Sequence, residues 1–225
     1  PFIVLLLALF TISGGIMIRG NFVGNPKLNL FFLVTGTALA SWMGTTGAAM
    51  LLIRPVIRAN AWRKNKTHVI IFFIFLVANI GGSLTPLGDP PLFIGFLKGV
   101  DFFWTTKYML LPMIFVSILL LIIFYFIDLF YYKKEISKRP TLEKINFSID
   151  GKFNLLLLVG VIISVIFSGA YKNNLGSIYL LGNELMFSFI FRDMFLILLT
   201  IASYKATSLS LRQENGFSWF PITEV

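Results

Sequence analysis

Six residues carry the chemistry this sequence has to offer: Thr45, Thr46, Asn79, Ser83, Thr85 and Asp89. Asp89 is the only acid between the chain start and Val100. It lies in the run Gly81-Gly82-Ser83-Leu84-Thr85-Pro86-Leu87-Gly88-Asp89-Pro90-Pro91, between the apolar flanks Val69–Ile80 and Leu92–Leu97. An ionisable side chain set in apolar sequence marks a functional site by default. Ser83 and Thr85 offer hydroxyl oxygens beside it, and a ligand set made only of oxygen suits a hard cation such as Na⁺. The same carboxyl can carry a proton. The competing role is structural: an Asp directly before Pro90-Pro91 stands where a helix N-cap belongs. Thr45 and Thr46 sit between Gly44 and Gly47. A tip between two half-helices presents carbonyls to cations and a helix N-terminus to anions. The alternative there is a Gly/Thr helix-packing surface. Asn79, one turn before the Gly/Pro run, is placed either to bridge the two elements or to act as interhelical packing glue.

The elements that position these residues follow from uncharged runs, since about 20 apolar residues as helix cross a hydrocarbon core of roughly 30 Å. Phe2–Ile18, Tyr108–Ile127, Phe153–Tyr171 and, interrupted by Arg192 and Asp193, Leu185–Tyr204 read as spanning segments. Two runs are irregular. Leu28–Ile53 is uncharged for 26 residues, about 39 Å as one straight helix, and Gly44-Thr45-Thr46-Gly47 is a poor helix interior. Folding at that point gives a re-entrant hairpin with arms half a membrane deep; the alternative is one tilted helix. In Val69–Leu97, three prolines and three glycines within eleven residues cannot continue an α-helix. A break at membrane depth is tolerated only where it is buried in protein or lines a watery cavity, and such breaks mark transporter binding sites. The expected fold is an all-α polytopic membrane protein of about five transmembrane helices plus a re-entrant helical hairpin and a broken helix.

Composition agrees. Of 225 residues, 57% are hydrophobic and 13% charged, about half the charged share of soluble domains. There is no Cys and a single His, His68, which excludes disulfides, thiolate metal sites and multi-histidine centres. The net charge of +9 is that of a membrane protein with basic cytoplasmic loops, not of a nucleic-acid binder. With the hairpin in place, 15 Lys/Arg fall inside, 3 outside and Arg192 within a segment; with a single spanning helix the division is 13 against 5. The hairpin obeys the positive-inside rule better. Asp128 reads as reaching the interface beside Tyr131 and Tyr132, and His68 as a surface histidine. Arg192 and Asp193, as helix neighbours, are not expected to face each other; they mark the edge of the last segment, where Arg192 snorkels.

The run from Asn79 to Pro91 resembles the signature N-I-G-G-x-x-T-x-x-G-D-P-P-N of the ion transporter superfamily, which holds NhaD-type Na⁺/H⁺ antiporters, arsenite permeases and citrate or dicarboxylate carriers. The segment Ala40–Pro55, with Thr45-Thr46, is similar to that family's L-D-N-x-T-T-x-x-x-x-x-P element. The resemblance covers Pro1–Phe130 well and the remainder loosely. There are departures: Trp42-Met43-Gly44 stands where the family has Leu-Asp-Asn, so the hairpin lacks a carboxylate, and Leu92 replaces the final Asn. The resemblance implies two inverted repeats with the site between them. On that reading residues 1–225 form a single membrane domain, the N-terminal repeat only, continuing upstream of Pro1 and beyond Pro221–Val225.

The function expected is part of a secondary active transporter coupled to Na⁺ or H⁺, antiporter-like, in the inner or plasma membrane. The alternatives are an anion permease for citrate, a dicarboxylate or arsenite, and a non-transporting remnant of a split gene. No enzyme activity and no resident cofactor are expected: Leu87-Gly88-Asp89 with Asp128 is only superficially similar to an intramembrane aspartyl protease, because Pro86 replaces a required Gly and Pro90-Pro91 break the helix. The expected partners are the lipid bilayer, a small inorganic ion or organic anion, and a second repeat, a second subunit or a second copy of the chain.

Overall fold

The computed structural model describes residues 2–137, 140, 148–171, 176–180 and 183–219; Lys172, most of the basic stretch 138–147 and Pro221–Val225 lie outside them. Chain order is helix α1 (Phe2–Ser13), strand β1 (Met17–Arg19), α2 (Pro26–Met43), α3 (Thr45–Ala59), α4 (Thr67–Leu76), a 3-10 turn (Ile80–Leu84) and α5 (Pro90–Leu97). Then come α6 (Trp104–Lys133), β2 (Ser148–Asp150), α7 (Lys152–Ala170), β3 (Ser177–Leu180), β4 (Asn183–Met186), α8 (Phe187–Ala206) and α9 (Leu209–Glu214). Among the described residues four stretches are long and apolar enough to cross a membrane: Thr67–Leu84, Trp104–Lys133, Lys152–Ala170 and Phe187–Ala206. The protein is an all-α polytopic membrane protein, and among the described residues strand is confined to two small antiparallel ribbons, β1 with β2 and β3 with β4. On α6 the row Leu111, Phe115, Ile118, Ile122 and Phe126 is exposed, as a lipid-facing stripe requires.

Leu28–Ile53 is a hairpin, not one tilted helix. Asn25 caps α2 by accepting from Leu28 N–H at 3.0 Å, Pro26 opens it, and Gly44 ends it with φ 80° and ψ 149°. That conformation is open essentially only to glycine. The chain then restarts as α3, packed along α2. The arms are longer than half a membrane. At 18 and 15 residues they measure about 27 and 22 Å, because the helices run on past the uncharged stretch and carry Arg54 and Arg58 on α3.

Both arms end at one polar lock. The Asn29 and Asn60 side-chain amides bond each other at 3.0 and 2.7 Å. Asn29 also donates to Asp128 at 2.9 Å, and Asp128 pairs with Arg63 at 2.6 Å, both of them fully buried. His68 Nε2 lies 2.8 Å from the same carboxylate, its ring stacked on Tyr131. Two expectations are thereby corrected: Asp128 does not reach the interface and His68 is not a surface residue. The lock draws α2, the chain after α3, α4 and α6 to a single point, and removing one partner from a buried ion pair typically costs about 3–5 kcal/mol.

The same end of the molecule carries β1 and β2. There Arg19 bridges Asp150 and Glu214, the latter at 2.8 Å, and Lys64 N–H bonds Glu135 at 2.9 Å. Arg54 donates to the Glu214 carbonyl. Basic residues therefore collect at one end, which the positive-inside rule assigns to the cytoplasm. The chain has no cysteine, so single cysteines report sidedness cleanly. Lys27→Cys and Lys64→Cys should react with an impermeant maleimide from one face of the membrane, and Asp101→Cys, exposed between α5 and α6, from the other. Labelling of positions 27 and 64 from opposite faces would contradict the hairpin.

Candidate functional site at the hairpin tip and the helix break

Between Leu76 and Pro90 the chain leaves the α-helical path, and its freed backbone groups find partners on neighbouring elements. Ser41 on α2 is central. Its hydroxyl donates to the Gly81 carbonyl and accepts from Leu84 N–H at 3.1 Å. The Ser41 carbonyl accepts from the Thr85 hydroxyl, which itself accepts from Leu87 N–H at 3.2 Å. Thr105 and Thr106 of α6 both donate to the Leu84 carbonyl, at 3.0 and 2.5 Å. Thr85 is therefore a buried brace of the fold. Ser41, Thr105 and Thr106 were not singled out from sequence; small hydroxyl residues in apolar helices are the only signal they give there.

The hairpin tip docks on this break. The N–H of Thr45 donates to the Gly88 carbonyl at 3.1 Å. Glycine permits the approach: a Cβ on Gly82 would lie 2.6 Å from the Thr45 methyl, and one on Gly88 only 2.0 Å from the Gly82 carbonyl oxygen. Tip residues Met43–Gly47 and break residues Pro86–Pro90 together line a narrow cavity, closed by Phe2, Leu5 and Leu9 of α1 and by Phe93 of α5.

Of the six sequence candidates, Thr45, Thr46 and Asp89 meet on this cavity. Asn79 does not bridge the two elements: it is exposed, and its amide bonds the Ile74 carbonyl of its own helix at 2.8 Å. Ser83 is half-buried away from the cavity wall, with a hydroxyl that has no partner. Asp89 occupies the N-cap position of α5, but its side chain makes no capping bond. The reason is local. Pro90 and Pro91 have no N–H, and the amides of Leu92 and Phe93 go to the Asp89 backbone carbonyl at 3.1 and 3.2 Å. Its carboxylate is exposed at the cavity. Asp128 is engaged in the lock at the basic end and takes no part.

Arg192 departs from expectation as well. It is the sixth residue of α8, 2% exposed, and its Nε and Nη2 donate to Asp193 Oδ1 at 2.9 and 2.7 Å. A long guanidinium side chain deprived of water folds back to the nearest acid, even one residue away. It is also flanked by the Phe93 and Phe189 rings, at 5.3 and 4.8 Å from their centroids.

The cavity thus presents the N-termini of two helices, α3 and α5, together with one uncapped carboxylate. Residues 1–225 match the model of a family described as "putative citrate transport". The chain belongs to this family. No curated protein and no solved structure matches it. Membership in a citrate-transport family makes the protein a transporter, and its apolar helices make it a multi-pass membrane protein.

Gly82→Ala, whose Cβ would lie 2.6 Å from the Thr45 methyl and 2.9 Å from the Gly88 carbonyl oxygen, should separate tip from break. Overpacking against backbone costs about 1–3 kcal/mol, read as a lower melting temperature in detergent. Gly95→Ala, where the nearest atom to a new Cβ is 3.8 Å away, should leave melting unchanged or raise it.

Proposed function

We propose that this citrate-transport family protein carries a citrate-like polycarboxylate across the inner or plasma membrane, coupled to Na⁺ or H⁺, and that the cavity between the hairpin tip and the helix break is its site. The observation that carries the reading is the convergence of the α3 and α5 N-termini beside Asp89. Helix N-termini carry partial positive charge, which suits a carboxylate; unpaired N–H groups are offered here by the first turn of α3, because α5 opens with two prolines and its next two amides bond the Asp89 carbonyl. Asp89 opposes that binding: two negative charges in a water-poor cavity repel strongly. The anion is accepted once Asp89 has taken up a cation, and this dependence couples the two fluxes. Thr45 and Thr46 supply hydroxyls beside the anion, whereas Ser83 stands away from the cavity wall and takes no part. The hairpin residues Trp42-Met43-Gly44 hold no carboxylate, which favours anion carriage over the Na⁺/H⁺ antiport considered first.

Thr46 and Asp89 are exposed on the surface of the chain, and a carboxylate at membrane depth does not face lipid. We infer that the open side of the cavity is covered by further helices, from a second repeat, a second subunit or a second copy of the chain.

Citrate uptake into proteoliposomes, driven in one arm by a Na⁺ gradient and in the other by a pH gradient, tests the reading. Wild-type protein should take up citrate under one of them. Asp89→Asn keeps the shape of the side chain but not its charge or proton; it should insert normally and lose the dependence of uptake on the gradient. Wild-type ion dependence in Asp89→Asn would reduce Asp89 to a structural residue, and absence of citrate uptake by the wild type under both gradients would overturn the substrate assignment.

A further inference from the structure

We propose that the apolar groove between α2 and α7 binds a phospholipid with an anionic headgroup, one acyl chain lying in the groove and the phosphate meeting Lys27 and Lys152 at its mouth. The groove has a volume of about 540 Å³ and presents no polar surface. Phe31, Thr35 and Leu39 of α2 line one side and Leu155 of α7 the other, with Ile18 and Ile149, partners in the β1–β2 ribbon, between them. Phe31 and Leu155 are 61% and 40% exposed, so the groove is open along its length. From Lys27 to Leu39 helix α2 rises about 18 Å, against about 15 Å for one leaflet's share of the hydrocarbon. These dimensions suit a single chain from the leaflet at the basic end of the molecule.

Charge identifies the headgroup. Lys27 lies one turn before Phe31 and Lys152 one turn before Leu155, so each stands on the groove face of its helix. Helix side chains lean toward the N-terminus, which carries both lysines out toward the headgroup layer. Both are exposed, and neither has a hydrogen-bond or ion-pair partner among the described residues. The acids at the end of the ribbon are already engaged: Arg19 bridges Asp150 and Glu214, and Arg54 bonds the Glu214 carbonyl. Both lysines also occupy the first turn of their helices, where neither helix has an acid. A cation there opposes the macrodipole, whereas an anion is favoured. The positive-inside rule accounts for basic residues at this end, but not for unpaired lysines on the groove face of two helix N-termini. A phosphate between them satisfies both charges and both dipoles. A second copy of the chain docking through the same face would bring like charge to the same place; an anionic lipid brings the opposite charge.

Native mass spectrometry of the purified full chain, titrated in detergent with phosphatidylglycerol or with phosphatidylcholine of identical acyl chains, tests the site. The wild type should retain one phosphatidylglycerol about 25-fold more tightly than phosphatidylcholine, since each basic residue near an anionic lipid contributes about fivefold. The double variant Lys27→Gln/Lys152→Gln, altered only at exposed positions, should bind the two lipids equally. Lys64→Gln, at the same basic end but off the groove, should keep the preference. Leu155→Trp fills the groove from an exposed position and should lose both lipids at an unchanged melting temperature. A preference that survives in the double lysine variant overturns the proposal, as does undiminished lipid retention by Leu155→Trp. A preference lost equally in Lys64→Gln would mean diffuse attraction to the basic end and overturns it too. A wild-type chain that retains no lipid is the result expected if another helix fills the groove, and likewise overturns it.

Discussion

A backbone that leaves the helix at membrane depth must find every hydrogen bond it gives up, because the hydrocarbon offers none. The stretch from Asn79 to Asp89 is such a backbone, and much of the architecture can be traced to its demands. Ser41 answers for Gly81, Leu84 and Thr85 at once. The paired threonines at the start of α6 answer for the Leu84 carbonyl. The Gly88 carbonyl is answered by the hairpin tip through Thr45. For the tip to arrive there, α2 must stop at Gly44 and the chain must turn back, so the break and the hairpin are two parts of one solution.

That solution leaves unusual groups behind. The fold uses the hydroxyls of Ser41, Thr85, Thr105 and Thr106, while the hydroxyls of Ser13 and Ser83 have no partner and the carboxylate of Asp89 is left uncapped by two prolines. Partial positive charge from α3 and α5 gathers at the same place as the one negative side chain. An anion is drawn by the first and repelled by the second, and a cation at Asp89 reverses the balance. At the opposite end of the hairpin the Asn29–Asn60–Arg63–His68–Asp128 lock fixes the base of both arms against α4 and α6. The tip end is held by one peptide hydrogen bond from Thr45 and by the hydrogen bonds of Ser41 to the break, whereas the base is held by a buried ion pair and four amide or imidazole contacts.

The sequence carried part of this openly. The excess length of Leu28–Ile53 together with Gly44 and Gly47 indicated the hairpin, and the density of Pro and Gly after Gly81 indicated the break, because both signals are local in the chain. The depth of the arms was misjudged, since helix ends are set by caps at Asn25 and Asn60 rather than by the first charged residue. The lock at Asp128 was invisible: its partners lie 99, 65 and 60 residues away, and an acid near a segment end reads as interfacial. Arg192 and Asp193 misled in the other direction, because the rule that adjacent helix residues diverge describes Cβ directions and not the reach of a guanidinium. The roles of Thr85 and Asn79 were equally hidden, as a hydroxyl or amide looks the same in sequence whether it braces a backbone or faces a cavity.

The central claim is that the transported anion sits where the hairpin tip meets the broken helix. Substrate protection tests it most directly. Thr46→Cys places a lone thiol on the exposed wall of the cavity, and Lys64→Cys places one at the distant basic end. Citrate should slow alkylation of Thr46→Cys, in the presence of the coupling ion, with a midpoint equal to the KM for uptake, and should leave the rate at Lys64→Cys unchanged. A protein that transports citrate yet alkylates at Thr46→Cys equally fast with and without saturating citrate would place the substrate elsewhere and contradict the account.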